Sequence, residues 1–175
     1  TYTGATANDR NVTTNNKYIS AITLADATDG SGGLATNYQL PVSLNSSNAP
    51  VTITAKSLTI TADARSTTYG TQLVLGTTAY TQVGLESVDS ISGITLKHGS
   101  NTTVPATQFA GTYTNEIIAS AATGSGLGNY SITYLPNTLT VNKYVISINA
   151  PSVTKAYNGN LTYTCLLYTS DAADE

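Results

Sequence analysis

"GLGNYSITYLPNTLTVNK", residues 126–143, is the stretch on which the fold turns. A glycine-rich loop leads into Asn129-Tyr130, two alternating runs flank a Leu-Pro-Asn turn at 135–137, and Lys143 closes the segment. "SITY" (131–134) and "TLTV" (138–141) place an apolar residue at every second position. Side chains along a strand point to opposite faces in turn, so such runs bury one face and wet the other. Much the same order of events occurs upstream in "GLATNYQLPVSLNSSNAPVTITAK", residues 33–56. An element spelled twice points to a repeated building unit and away from a unique active site.

Outward from there the alternation continues. "VTITA" (51–55), "LTITA" (58–62) and "VISINA" (145–150) are predicted strands, and "YISAITL" (18–24), "ISGITL" (91–96) and "TYTNEII" (112–118) are consistent with strands. "DGSGG" (29–33), "KHGSN" (97–101) and "GSGLGN" (124–129) mark tight turns between them, because glycine supplies positive φ and Asn tolerates it. Only "GLESVDSI" (84–91) suits a short helical turn. The expected fold is mostly β: tandem antiparallel β modules, β-grasp-like or sandwich, with at most one short helix per module.

Composition agrees and narrows the function. Twelve tyrosines accompany a single Phe and no Met or Trp, and a chain rich in Thr, Val, Ile and Tyr favours strands. Charged residues make up 10% of the chain, with seven basic against ten acidic, a net charge of -3 and a pI near 4.9. The basic side chains are scattered singly, whereas phosphate neutralisation needs them clustered, so nucleic acid is excluded as a partner and an anionic membrane surface is disfavoured. No run reaches the ~18 consecutive apolar residues of a membrane helix, so no membrane insertion is expected. The only cysteine, Cys165, excludes an internal disulfide framework and a multi-thiolate metal site. "TYTGATANDR" at the start has neither a charged nor an apolar leader region and reads as the inside of a longer protein.

Three landmarks recur in order. Asn37-Tyr38 returns as Asn129-Tyr130, 92 residues on; the lysine joining two strands, Lys56, returns as Lys143, 87 on; and Tyr69, in "STTYGTQL", returns as Tyr157, in "KAYNGNL", 88 on. Periods near 90 describe whole domains in tandem, being too long for solenoid repeats of about 20–50 residues. The expected organisation is a truncated module at 1–56, a complete one at 57–143, the start of a third at 144–164, and a non-native tail at 165–175. Modules that join with almost no linker restrict motion between domains, which predicts a stiff array.

At "LTITADARSTTYG" (58–70), "FAGTY" (109–113), "GLGNYSITYLPNTLTV" (126–141) and "KAYNG" (155–159) the chain resembles the MBG and YDG repeat domains of large bacterial surface proteins, including filamentous-haemagglutinin-like adhesins. Residues 8–40 are similar to the second half of a YDG-type module, with Thr13 where that family usually has glycine. The complete module has Tyr69-Gly70 with no Asp between them and is similar to the YGX subtype. What the resemblance implies is an extracellular, mostly-β stalk segment at the bacterial cell surface or outer membrane, with no catalytic residue to carry over. "CLLYTSDAADE" (165–175) matches none of this pattern and resembles the translated read-through at the end of a metagenomic reading frame.

Candidate chemistry is sparse. His98, the only histidine, sits in a turn-like context where solvent exposure is the expectation, and it has no partnered nucleophile. Asp26 and Asp29 beside glycines suggest an Asp-Gly turn, since the further oxygen ligands of a calcium loop are missing. Glu86 and Asp89 suit a solvated face, and Lys56 and Lys143 are read as solvated boundary lysines in preference to isopeptide donors. Five N-x-[ST] triplets, at Asn11, Asn45, Asn101, Asn129 and Asn160, are what a chain so rich in Asn and Thr contains by chance. The recurring tyrosines Tyr38, Tyr130, Tyr69 and Tyr157 are read as packing residues, with stacking on sugars as the rival. The expected function is a non-enzymatic spacer of a secreted bacterial adhesin, with no catalytic, cofactor or metal site. Neighbouring modules of the same chain are the expected partners. A module binding host glycan or protein is the alternative, and a hydrolase the distant one.

Overall fold

The computed structural model describes residues 2–149, 156, 157, 159 and 160. Two compact units divide the chain, Thr1–Tyr144 and Val145–Glu175. In the second unit the described residues 145–149 are exposed and form no strand, contrary to the reading of "VISINA". Alternation prepares a strand, but a strand forms only where a partner closes its hydrogen bonds. Of the rest of the expected third module only residues 156, 157, 159 and 160 are described, and the whole tail lies outside the described residues.

The first unit opens with a hairpin-like pair, β1 (Tyr2–Ala7) and β2 (Ile19–Leu24), which run antiparallel. Residues 25–55 are irregular apart from one 3₁₀ turn, Ala35–Asn37. They are tied back to β2 by Ile19 N–H donating to Ala49 O (2.9 Å) and Val51 N–H donating to Lys17 O (3.2 Å). "VTITA" therefore contributes one bonded residue and no ladder, although a strand was expected there. Among the described residues before Lys56 the one buried side chain is Lys17, so this segment encloses no apolar core of its own.

The core belongs to residues 56–142. Nine strands build it: β3 (Lys56–Ala62), β4 (Arg65–Thr68), β5 (Leu73–Val74), β6 (Tyr80–Val83), β7 (Ser90–His98), β8 (Thr103–Val104), β9 (Gly111–Ser125), β10 (Tyr130–Leu135) and β11 (Asn137–Asn142). Leu58, Ile60 and Ala62 of β3, Ile94 and Leu96 of β7, Ile117 and Ala119 of β9, and Leu139 and Val141 of β11 point inward at every second position, joined by Leu75 and Val104. Each fully buried Leu or Ile contributes about 1.5–3 kcal/mol of transfer free energy.

Three sheets result, with strand orders β10-β3-β6, β4-β11-β9-β7 and β5-β8. The expectation of antiparallel pairing throughout is corrected at two places: β10 runs parallel to β3, and β11 parallel to β4. The cause is topological. The first and last strands of the domain lie side by side, and the long excursion through 69–129 supplies the crossover that parallel neighbours require. Both parallel pairs keep one register, since Tyr130 faces Lys56 and Asn142 faces Thr68, a separation of 74 in each case (130 − 56 and 142 − 68). They form one continuous two-stranded ribbon that bends once. At the bend, Asp63-Ala64 on one strand and Pro136 on the other interrupt the ladder, and both strands pass from the three-stranded to the four-stranded sheet. Pro136 suits that corner because it has no N–H to give a ladder. Asn137 Nδ2 donates to Ala62 O (2.9 Å) across the corner.

No helix forms at "GLESVDSI". Asp89 N–H donates to Glu86 O (3.0 Å), a single turn that hands over directly to β7. A nucleated helix needs several consecutive bonds, and eight residues between two strands do not supply them.

Candidate functional site

Both Asn-Tyr pairs finish a single 3₁₀ turn. Leu127–Asn129 leads into Tyr130, extended at φ −119° and ψ 147°, whose N–H donates to Leu127 O. Ala35–Asn37 leads into Tyr38, extended at φ −129° and ψ 151°, whose N–H donates to Ala35 O. The repeated pair is thus one repeated local conformation. The residue ahead of the turn differs: Leu34 is extended at φ −98°, whereas Gly126 is left-handed at φ 72°. A side chain at Gly126 would also collide with a carboxylate, its Cβ falling 1.9 Å from Asp89 Oδ1.

That carboxylate is the centre of the second copy. Tyr130 Oη donates to Asp89 Oδ2 (2.7 Å) and accepts the Glu86 N–H (3.0 Å). Partial removal from water, helped by the Asp89 hydrogen bond, pushes the Tyr130 phenol above its usual range. Glu86 in turn pairs with Lys56 at the start of β3, and this hydrogen bond raises the Lys56 ammonium above its ordinary value. Glu86 is exposed, as its solvated-face reading expected, and Asp89 is half-buried; together they tie the 84–91 turn to both strands of the parallel ribbon.

Asn129 faces the other way. Its Oδ1 accepts the Val12 N–H (2.8 Å) and its Nδ2 donates to Asn11 Oδ1 (3.2 Å). The Asn-Tyr pair therefore joins the segment before Lys56 to the domain after it: Asn129 holds the first and Tyr130 the second. A cavity of about 190 Å³ lies at this seam, lined among others by Val12, Ile53, Lys56, Asp89 and Tyr130. It is below the ~300 Å³ from which small-molecule sites begin. Upstream, the Asn11 N–H donates to Asp9 and holds that carboxyl below its usual range. Lys17, 7% exposed, donates Nζ to the carbonyls of Val12 and Thr14 and so braces the same loop. Sequence reasoning missed Lys17, and the only available signal was its position between turn residues and the β2 alternation.

The remaining candidates do not converge. Asp29 accepts the Ser31 N–H (2.9 Å), and bonds from Ser31 hold its carboxyl below the usual range. Asp26 accepts the Ala35 N–H (2.7 Å), so both carboxylates serve turns. Among the described residues no three His, Cys, Asp or Glu side chains gather in one place. His98 ends β7 and its side chain is only 13% exposed, not the solvated turn residue expected. Its Nε2 lies 3.2 Å from Gln108 Oε1, and its buried Nδ1 lies 3.1 Å from Glu116 Oε1 at ion-pair distance without hydrogen-bond alignment. Lys143 is exposed, as its boundary reading expected. Among the glycosylation triplets, Asn11 and Asn129 bond each other, Asn45 accepts the Ser47 N–H (2.8 Å), and Asn101 bridges His98.

The tyrosines split. Tyr80, Tyr113, Tyr130 and Tyr134 pack against the core, while Tyr38 (69%) and Tyr157 (98%) are exposed and Tyr69 is half exposed. The packing expected at all four recurring positions therefore holds for Tyr130 and fails for Tyr38 and Tyr157. Tyr38 borders a cleft of about 410 Å³, lined by Leu24, Ala27, Leu34 and Leu40 among others.

Residues 58–140 match the family model of the MBG domain (YGX type), a span that begins in β3 and ends in β11. This segment is an MBG domain. MBG domains are a non-catalytic family of β-rich repeats that occur in surface proteins. No curated protein and no solved structure matches the chain. Among the described residues no helix is long and apolar enough to cross a membrane.

Proposed function

We propose that the chain is a non-enzymatic spacer from the stalk of a secreted bacterial adhesin, in which the MBG domain at 57–143 stands between neighbouring modules. The parallel ribbon carries this reading. Lys56 pairs at one end of it and Asn142 at the other, so the chain arrives at one end of the ribbon and leaves at the other. Thirteen residues per strand span at most about 40 Å at ~3.3 Å each. A domain with both termini at one pole would fold the chain back and gain little reach. The seam at Asn129 adds stiffness, because two side-chain hydrogen bonds fix the segment before the domain to its first pole.

Duplicating residues 57–143 within the chain once and twice, then measuring small-angle X-ray scattering, tests the spacer. The longest dimension is expected to rise linearly, by no more than about 40 Å per added domain. Growth with the square root of domain number, as for beads on a loose string, would contradict it.

A second reading has one observation in its favour: Tyr38 stands exposed beside a cleft large enough for a saccharide unit. On that reading the segment before Lys56 binds a host glycan, with the phenol ring stacking on a sugar face. Glycan-array signal from the whole chain that disappears in Tyr38→Ala would establish it; identical blank arrays from both proteins would leave the spacer reading alone.

A further inference from the structure

The geometry points to a tension-bearing role for the MBG domain: its two terminal strands form a shear clamp that resists pulling between Lys56 and Asn142. This rests on the spacer reading for its biological meaning, and on the ribbon for its physics. Tension applied through the neighbouring chain draws β3-β4 toward the pole where Lys56 pairs with Tyr130. The same tension draws β10-β11 toward the pole where Thr68 pairs with Asn142. Adjacent strands are thus pulled in opposite senses along their own length. The evenly spaced hydrogen bonds of a parallel pair lie across that direction, so they share the load instead of failing one after another.

Three further features oppose sliding. A slip of one residue would turn Leu58, Ile60 and Ala62, or Leu139 and Val141, out of the core to the wet face. A slip of two residues would restore the faces but drag the bend through the ladder. Pro136, which has no N–H, would then enter a bonded position, and Asn137 would lose Ala62 O. Finally, the Tyr69 N–H donates to Asn142 O (2.9 Å), so pairing continues to the last residue of β11. Resistance to force is governed by the rate of crossing the unfolding barrier, and sliding must break all these contacts together.

Single-molecule pulling on the whole chain, with Cys165→Ser to leave only engineered thiols, tests the clamp. One version carries Ala55→Cys and Lys143→Cys, loading the ribbon in shear. The other carries Thr71→Cys and Lys143→Cys, which pulls both strands from the same pole and peels them apart. The three substituted positions other than Cys165, namely Ala55, Thr71 and Lys143, lie outside the ribbon's paired residues. At equal loading rate, the shear pair is expected to unfold at several-fold higher force than the peeling pair, in one step. That step releases up to about 300 Å of chain for the 88 residues between positions 55 and 143. Equal forces in the two versions, with single-step unfolding, overturn the clamp and leave the spacer intact. Gradual extension with no step in either version would overturn both, because the domain would not be a cooperative unit.

Discussion

Tyr130 joins three parts of the MBG domain through one hydroxyl: its own edge strand β10, the carboxylate of Asp89, and the backbone of Glu86. Its phenol is held neutral to higher pH than usual, chiefly by partial burial. The native pKa is raised above the unfolded value, so the folded state binds more protons between the two. The stabilising contribution is therefore complete below the ordinary value of 10.0 and is lost as pH rises through the native one. Lys56, raised by its bond to Glu86, acts in the same sense above 10.5, although its exposure keeps the effect small. Urea midpoints of the chain are expected to fall from neutral to strongly alkaline pH, and Tyr130→Phe is expected to start lower and fall less steeply. A variant whose midpoints track the parent in parallel across that range would show that this phenol carries no part of the alkaline loss. At the acid end the order reverses: Asp9 and Asp29, both lowered, stabilise above 3.8 and cease to do so as pH drops below it. None of these roles was legible in residue types alone. Tyr38 has the same local turn and the same sequence neighbour, and it stands in solvent.

Among the elements, β9 is the longest, at fifteen residues, and it pairs with both β11 and β7. It manages both partners through irregularities. Its register against β11 shifts near Asn115, at φ 58°, and against β7 near Ala121, at φ 48°. Such bulges sharpen twist and let one strand follow two differently inclined neighbours. Ala121 is exposed and holds a left-handed conformation that costs an L-residue about 1–2 kcal/mol. Ala121→Gly should relieve it and stabilise the domain by up to ~1 kcal/mol, after the larger backbone entropy of glycine is subtracted. Thermal unfolding of the two proteins checks the sign; a less stable variant would mean that the bulge is not strained. Period-two alternation found β3, β7, β10 and β11 because burial of one face is written in every second residue. It was blind to direction, since a parallel and an antiparallel strand with one wet face carry the same pattern. It also overcalled 51–55 and 145–149, where the pattern is present and no ladder follows.

At the scale of the molecule, the repeated Asn-Tyr turn was legible as a repeat but not as a joint. Asn129 bonds Asn11 and Val12, more than a hundred residues earlier, and no local spacing announces such a pair. The same holds for the ribbon, whose two halves are separated in sequence by the whole middle of the domain. Its single register has a consequence for how proteins with such domains change over generations. On the spacer reading, a chain that enters each unit at one end of the ribbon and leaves at the other makes units in series add length. Gain or loss of one unit by recombination would then leave the first and last units untouched. It would alter reach by one step, and unit number would become a heritable ruler.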